Sequence, residues 1–275
     1  MNILIFVASL PYSKPAISFG GKIARLTNSR VTLLSAGIYQ KDRDKSETLL
    51  SDAKDLLHDD VEVETRFHAA PPAKAILQEV EAKNYDLVVV RARKAIRYRQ
   101  RLRGKVGRTI ANEAPIPVLI IKQKRATLKR ILICTGGTHY ALKVVEMGAE
   151  LARAAQAEVT LLHITNAVPT MYTGLDAVEE TLPELLQTQT LIAQHLREAA
   201  ELLDSHSVKA QLEIRRGEVA TELLQEADEG NYDLIIIGAT RGALRSWFLG
   251  SVTREIVNHA KCPVLVVRGP YPGED

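Results

Sequence analysis

The chain is 275 residues long and carries 36 Lys and Arg against 33 Asp and Glu, with 46% apolar and 5% aromatic residues. Those proportions belong to an ordinary globular chain and exclude a disordered, collagen-like or disulfide-stapled molecule. The length suits two small domains of about 100–200 residues, and the longest apolar runs, at 87–90 and 263–267, are far short of the ~20 residues of a membrane-spanning helix. The opening MNILIFVASLPYSKP lacks a basic leader and its apolar part is short, so it reads as a first buried strand rather than a secretion signal. Cys134 and Cys262 are the only cysteines, and each stands in an apolar, strand-like run with no CxxC motif or Cys/His cluster of metal-binding spacing. That predicts two buried thiols in a reducing cytoplasm, and no metal centre.

The chain repeats itself. ILI at 3–5 recurs at 131–133, Gly20 at Gly148, Ala24-Arg25 at Ala152-Arg153, and VTLL at 31–34 recurs at 159–162, all at an offset of 128. The offset then becomes 147, where LQE at 77–79 answers 224–226 and NYDLVVV at 84–90 answers NYDLIII at 231–237. It ends at 146, where GKVGRTIANEAPIPVLII at 104–121 answers GSVTREIVNHAKCPVLVV at 250–267. Two homologous units therefore follow one another, and the second has 19 extra residues around 166–182 and one residue fewer after its fourth strand. The extra segment reads as either a flap over a site or a surface excursion. Each unit alternates β-branched runs with helix-period segments, the pattern of βαβ crossovers and a parallel sheet. In the second unit strands are predicted near 130–135, 158–164, 208–215, 233–238 and 263–268, and helices near 139–155, 183–204, 219–229 and 251–260. Leu234–Ile237 and Val264–Val267 do not alternate with polar residues, as expected of strands covered on both faces. The polar, basic stretch 122–130 reads as the linker between units.

An open doubly wound sheet binds ligands at the carboxyl ends of its strands, where successive connections leave to opposite faces. With strand order 3-2-1-4-5, the loop at 134–140 (CTGGTHY) and the loop at 238–253 (GATRGALRSWFLGSVT) are neighbours there. In the second loop Gly238 and Gly242 let backbone amides approach an anion. Gly250-Ser251 opens a helix whose first amides, through Val252 and Thr253, suit a phosphate. Ser251 and Thr253 add hydroxyls, and Arg241 and Arg245 add charge. The bland reading of the same residues is that glycines end a strand and Ser251 starts a helix; spacing alone leaves both open.

Strand, glycine-spaced loop, GS, helix and CPVLVV strand together resemble the universal stress protein family, over nearly the whole chain and twice. The resemblance implies two tandem Rossmann-like α/β units, each a five-stranded parallel sheet flanked by helices. It also implies pairing as an intrachain pseudo-dimer where other members form homodimers. It further implies a stress-response binding module rather than an enzyme, with ATP or AMP as ligand and magnesium if ATP. Phosphate contacts are then expected at Gly238, Gly242, Gly250, Ser251 and Thr253, a nucleoside contact after the first strand beside Thr135, and a base pocket at His163 and Ile164. The family's acidic residue after that strand is Gly136 here and Ala8 in the first unit, and the glycine loop is one residue short. Loss of one charged hydrogen bond of ~1.5–3 kcal/mol lowers affinity about ten- to a hundredfold.

In the first unit the corresponding loop, RARKAIRYRQRLRGKVGR at 91–108, puts Arg91 and Lys94 where the family has glycines. Residues 91–125 carry twelve Lys and Arg against one acid, net +11, while the remainder, with 24 against 32, is net −8. Arg91, Lys94, Arg97, Arg99, Arg101, Arg103 and Lys105 are thus either a solvated or internally neutralised charge run, or an anion site for a polyphosphate, a nucleic acid or an acidic protein surface. No groove-reading motif is present and Tyr98 is the loop's lone aromatic, which argues against specific nucleic-acid recognition. His163 reads as a satisfied core or pocket-wall histidine. GxSxG, GxGxxG and Walker motifs are absent. Two functional readings stand: a nucleotide-binding module with a degenerate first unit, and a nucleotide-free interaction protein working through its domain interface and basic loop.

Overall fold

A computed structural model of the chain describes residues 1–39, 42–92, 105–123, 125, 127–136, 141–165, 182–239 and 249–268. The first half runs β1 (Asn2–Phe6), α1 (Lys14–Leu26), β2 (Arg30–Gly37), α2 (Arg43–Lys54), β3 (Val63–Ala69), α3 (Pro72–Ala82), β4 (Leu87–Arg91), α4 (Lys105–Glu113) and β5 (Val118–Ile121). The second runs β6 (Arg130–Thr135), α5 (Leu142–Ala155), β7 (Glu158–Thr165), α6 (Leu182–Gln187), α7 (Leu191–Ser205), β8 (Ala210–Arg216), α8 (Val219–Glu229), β9 (Leu234–Ala239), α9 (Ser251–His259) and β10 (Val264–Arg268).

Each half forms the expected 3-2-1-4-5 parallel sheet, and the two sheets join edge to edge into one of ten strands, β3-β2-β1-β4-β5-β10-β9-β6-β7-β8. The joint is antiparallel, with Val264 opposite Ile120, Leu265 opposite Leu119 and Val266 opposite Val118. Leu119 and Leu265 are repeat equivalents, so the pairing is centred on one position of the repeat. This is the self-complementary geometry of a two-fold interface, here within one chain.

Because side chains alternate across a strand, the continuous apolar runs feed two cores. Ile3, Ile5, Val89, Leu119, Ile133, Ile236 and Leu265 pack on one face with α1, α2, α5 and α7. Leu4, Val88, Ile120, Leu132, Ile235 and Val266 pack on the other with α3, α4, α8 and α9. Both cores run through the joint. The opening segment is indeed a buried strand, with Ile3 to Ile5 fully enclosed. The repeated Gly20 and Gly148 let α1 and α5 lie close on the sheet: a Cβ at either would strike Ile5 or Ile133. The repeated LQE and NYD motifs are structural as well. Tyr85 and Tyr232 donate to buried Glu79 and Glu226 at 2.8 and 2.5 Å, whose other oxygens meet His68 and Arg215, again repeat equivalents. Asp86 accepts from the Asn2 amide at 2.7 Å, and Asp233 from the Lys129 amide at 2.7 Å, tying each first strand to its fourth.

Two expectations need correction. The predicted helix at 183–204 is two helices. Thr190, in an extended conformation, accepts from the Ala193 amide and starts α7, while Arg197 reaches back to the carbonyls of Leu186 and Thr188 at the end of α6. Apolar periodicity continues through such a break because both pieces lie on the same core. The stretch 122–130 is also not a free linker. Lys122 and Leu128 are buried, Thr127 donates to Asp233 at 2.8 Å, and Arg130 already belongs to β6.

Candidate functional site

β6 and β9 are parallel neighbours in register, Cys134 beside Ile237, and β7 follows with His163 beside Thr135. Their carboxyl ends bring Thr135, Gly136, His163, Ile164 and Gly238 to one mouth. α9 begins there too. Thr253 is buried and its hydroxyl donates to the Gly238 carbonyl at 2.8 Å, pinning the first turn of the helix over the end of β9. Gly250 occupies the N-cap position without a side-chain cap. Ser251 is exposed as the first helical residue and Val252 is half-buried. The Thr253 hydroxyl, expected to face a phosphate, is thus committed to anchoring the helix; the amides of 251–253 receive no acceptor among the described residues. A helix amino end placed this way carries about half a positive charge and free donors.

Among the described residues, a Cβ at Gly136 or Gly250 would meet nothing within 4 Å. Gly238 is tighter, with Val144 Cγ2 3.1 Å from where a Cβ would sit. Arg241 and Gly242 lie outside the described residues, as does the 166–181 part of the insertion.

Behind this mouth lies a polar cluster in which His163 is the satisfied core histidine expected from the sequence, while His195 was not anticipated. His163 is buried and its Nδ1 lies 3.0 Å from the Thr135 carbonyl, so Nδ1 bears the proton of that bond. His195 Nε2, from α7, bonds the Thr135 hydroxyl. The residue equivalent to His163 in the first half is Ser35, whose hydroxyl bonds that of Ser46 on α2 at 3.5 Å. His195 had no visible signal, because it lies inside an ordinary helical period. No carboxylate, the protein ligand magnesium most often takes, stands among the described residues at the ends of β6, β7 and β9. Among the described residues no group of three or more His, Cys, Asp or Glu is placed to hold a metal. Burial pushes the Cys262 thiol up to about 11 and raises that of Cys134 as well, so neither is a ready nucleophile at neutral pH.

The first half differs at the same place. Arg91, equivalent to Gly238, does not extend into the basic loop as expected of an anion ligand. Its guanidinium folds over the strand ends and donates to the carbonyls of Ile121 at 2.7 Å and Ala92 at 3.2 Å. It also lies 5.8 Å from the centre of the Tyr12 ring, and the Tyr12 hydroxyl donates to the Arg91 carbonyl. A long side chain therefore lies across the strand ends where the second half has a glycine. Lys94, Arg97, Arg99, Arg101 and Arg103 lie outside the described residues, and Lys105 is described only as the first residue of α4. Two cavities, of about 530 and 480 Å³, line the amino ends of β1–β3 and the approach to β8. Both lie at the opposite end of the sheet from this chemistry.

No helix of the described residues is long and apolar enough to cross a membrane. The profile of the universal stress protein family matches residues 1–122 and again 127–268. A universal stress protein of Methanocaldococcus jannaschii is 29% identical over 152 residues, covering 55% of this chain and 88% of its own. Universal stress protein E of Photorhabdus laumondii, 25% identical over 222 residues, covers 76% of this chain and 69% of its own. In three dimensions, the crystal structure of a universal stress protein from Archaeoglobus fulgidus superposes with a TM-score of 0.73 at 16% identity, over 97% of this chain and 98% of that one. With the profile satisfied once by each half of the repeat, the chain belongs to the universal stress protein family.

Proposed function

We propose that the protein is a cytoplasmic, non-catalytic stress-response module whose second half binds an adenine nucleotide, ATP or AMP. The phosphates lie on the amino end of α9 and the nucleoside between β6 and β7. The observation that carries this reading is the Thr253–Gly238 bond of 2.8 Å, which holds the first turn of α9 over the end of β9 beside the open glycines 136 and 250. Thr135, Gly136 and Ile164 line the nucleoside side. Gly238, Gly250, Ser251, Val252 and Thr253 lie on the phosphate side, to which the sequence adds Arg241 and Gly242 from outside the described residues. With Gly136 in place of a carboxylate, affinity is modest. The first half, with Arg91 bonded across its strand ends in place of a glycine, is the degenerate copy and binds no nucleotide. No described side chain is poised as a general base over the phosphate end, which favours binding over hydrolysis.

The test is a thermal-shift and calorimetric titration with ATP, ADP and AMP against wild type and Gly250→Arg. Saturable stabilisation by at least one nucleotide, abolished in Gly250→Arg, is expected. A side chain there meets no described atom within 4 Å of its Cβ, and an arginine is long enough to reach the helix amino end. Absence of response to every nucleotide would instead make the chain a nucleotide-free interaction protein, acting through its joined halves and the basic loop of residues 91–108.

A further inference from the structure

The helix whose amino end forms the phosphate site is held at its other end by the opposite half of the molecule. Lys122 follows β5 in the first half. It is buried, and its ammonium donates to the carbonyls of Ala260 at 2.9 Å and Ile256 at 3.2 Å, the last turn of α9. Its repeat equivalent, Arg268 at the end of β10, reaches across in the other direction and donates to the Ala111 carbonyl in the last turn of α4. Each half thus supplies one buried cation to the carboxyl end of the other half's last helix, where free carbonyls and the negative end of the helix dipole favour it. α9 has nine residues, a rod about 13 Å long. Besides the packing of Ile256 and Val257 on the core, polar side chains hold it at two points: Thr253 on the Gly238 carbonyl of β9, and Lys122, just after the other half's β5, on its carboxyl end. Loss of the Lys122 bonds would release one end of this short rod.

We propose that Lys122 is a positioning residue for the nucleotide site of the second half, so that the first half, though closed to ligand itself, sets how well α9 presents its amides to phosphate. The inference rests on the nucleotide reading above for its affinity readout, and on geometry alone for its second readout. Arg268 is the internal control, because it anchors α4 and not α9 while making the same kind of buried contact across the same joint.

The experiment compares wild type, Lys122→Met, Lys122→Arg and Arg268→Met, each at a temperature where it is fully folded by circular dichroism. ATP affinity is measured by calorimetry, and amide hydrogen exchange of residues 251–254 is followed in the nucleotide-free proteins. Lys122→Met is expected to weaken ATP binding about fivefold or more and to speed exchange at 251–254. Lys122→Arg, which retains a cation, restores most of both, and Arg268→Met changes neither. Equal effects of Lys122→Met and Arg268→Met would mean general loosening of the joint and overturn the proposal, as would unchanged affinity and exchange in Lys122→Met. If wild type binds no ATP, the nucleotide reading falls while exchange at 251–254 still decides the role of Lys122.

Discussion

Gly136 is the residue on which the affinity of the proposed nucleotide should turn. It is exposed at the end of β6, and among the described residues a Cβ added there meets nothing within 4 Å. A side chain is therefore tolerated, and an aspartate would restore the charged acceptor that the family resemblance expects. Gly136→Asp should raise ATP affinity about ten- to a hundredfold, the worth of one charge-assisted hydrogen bond, with little change in melting temperature. Calorimetric titration of the two proteins checks it; equal affinities would remove the nucleoside from this end of β6. Arg91 shows the reverse substitution. Where the second half has a glycine, a guanidinium that donates to two carbonyls beside an aromatic face lies at the strand ends. A residue inside an arginine-rich run has therefore become part of the packing, because backbone carbonyls at a strand end compete well for a fork of donors.

At the level of elements, helix ends carry the polar chemistry of the second half. Glu218 caps α8, accepting from the amides of Thr221 at 2.7 Å and Ala220 at 3.2 Å. The Thr221 side chain and these amides hold its carboxyl below the ordinary range. A group whose folded-state pKa is depressed contributes stability above its unfolded pKa and loses it as pH falls through the folded value. Wild type should therefore be more stable than Glu218→Gln at about pH 7, and the gap should narrow as pH falls below the ordinary glutamate range and through the lowered folded value. Urea denaturation of both proteins across an acid pH series measures it; a gap that stays constant would show that the charge is not what caps the helix. The break between α6 and α7 follows the same logic. Thr190 offers the backbone an acceptor that ends one helix and begins the next, while Arg197 closes the α6 carbonyls.

For the molecule as a whole, the joint is the feature on which stability depends. Leu119 and Leu265 lie opposite each other, 0% and 1% exposed, in a core shared by both halves. A charge at this point has no partner and cannot reach water, so Leu119→Glu should cost several kcal/mol. It should also destabilise both halves together. Scanning calorimetry of wild type is expected to show one cooperative transition, and the variant one transition at lower temperature. Two resolved transitions in wild type would show that the halves unfold independently despite the shared sheet. Lys122 and Arg268 reinforce the same expectation, because each anchors a helix of one half on a strand of the other.

Self-similarity, apolar runs and turn chemistry are local, and they carried most of the architecture: the duplication, the strands, the parallel order within each half and the helix start at Gly250–Ser251 were all legible in the chain. The capping at Thr190 escaped because apolar period is blind to a break that keeps both pieces on one core. What only the tertiary structure decided is which edges meet and what the isolated cations do once they have met. Lys122 read as linker charge and Arg91 as loop charge, yet one reaches 138 positions along the chain to Ala260 and the other folds 30 positions to Ile121. A cation's partner is set by the carbonyls that strand pairing brings within about 3 Å, and that distance does not exist until the sheet has closed.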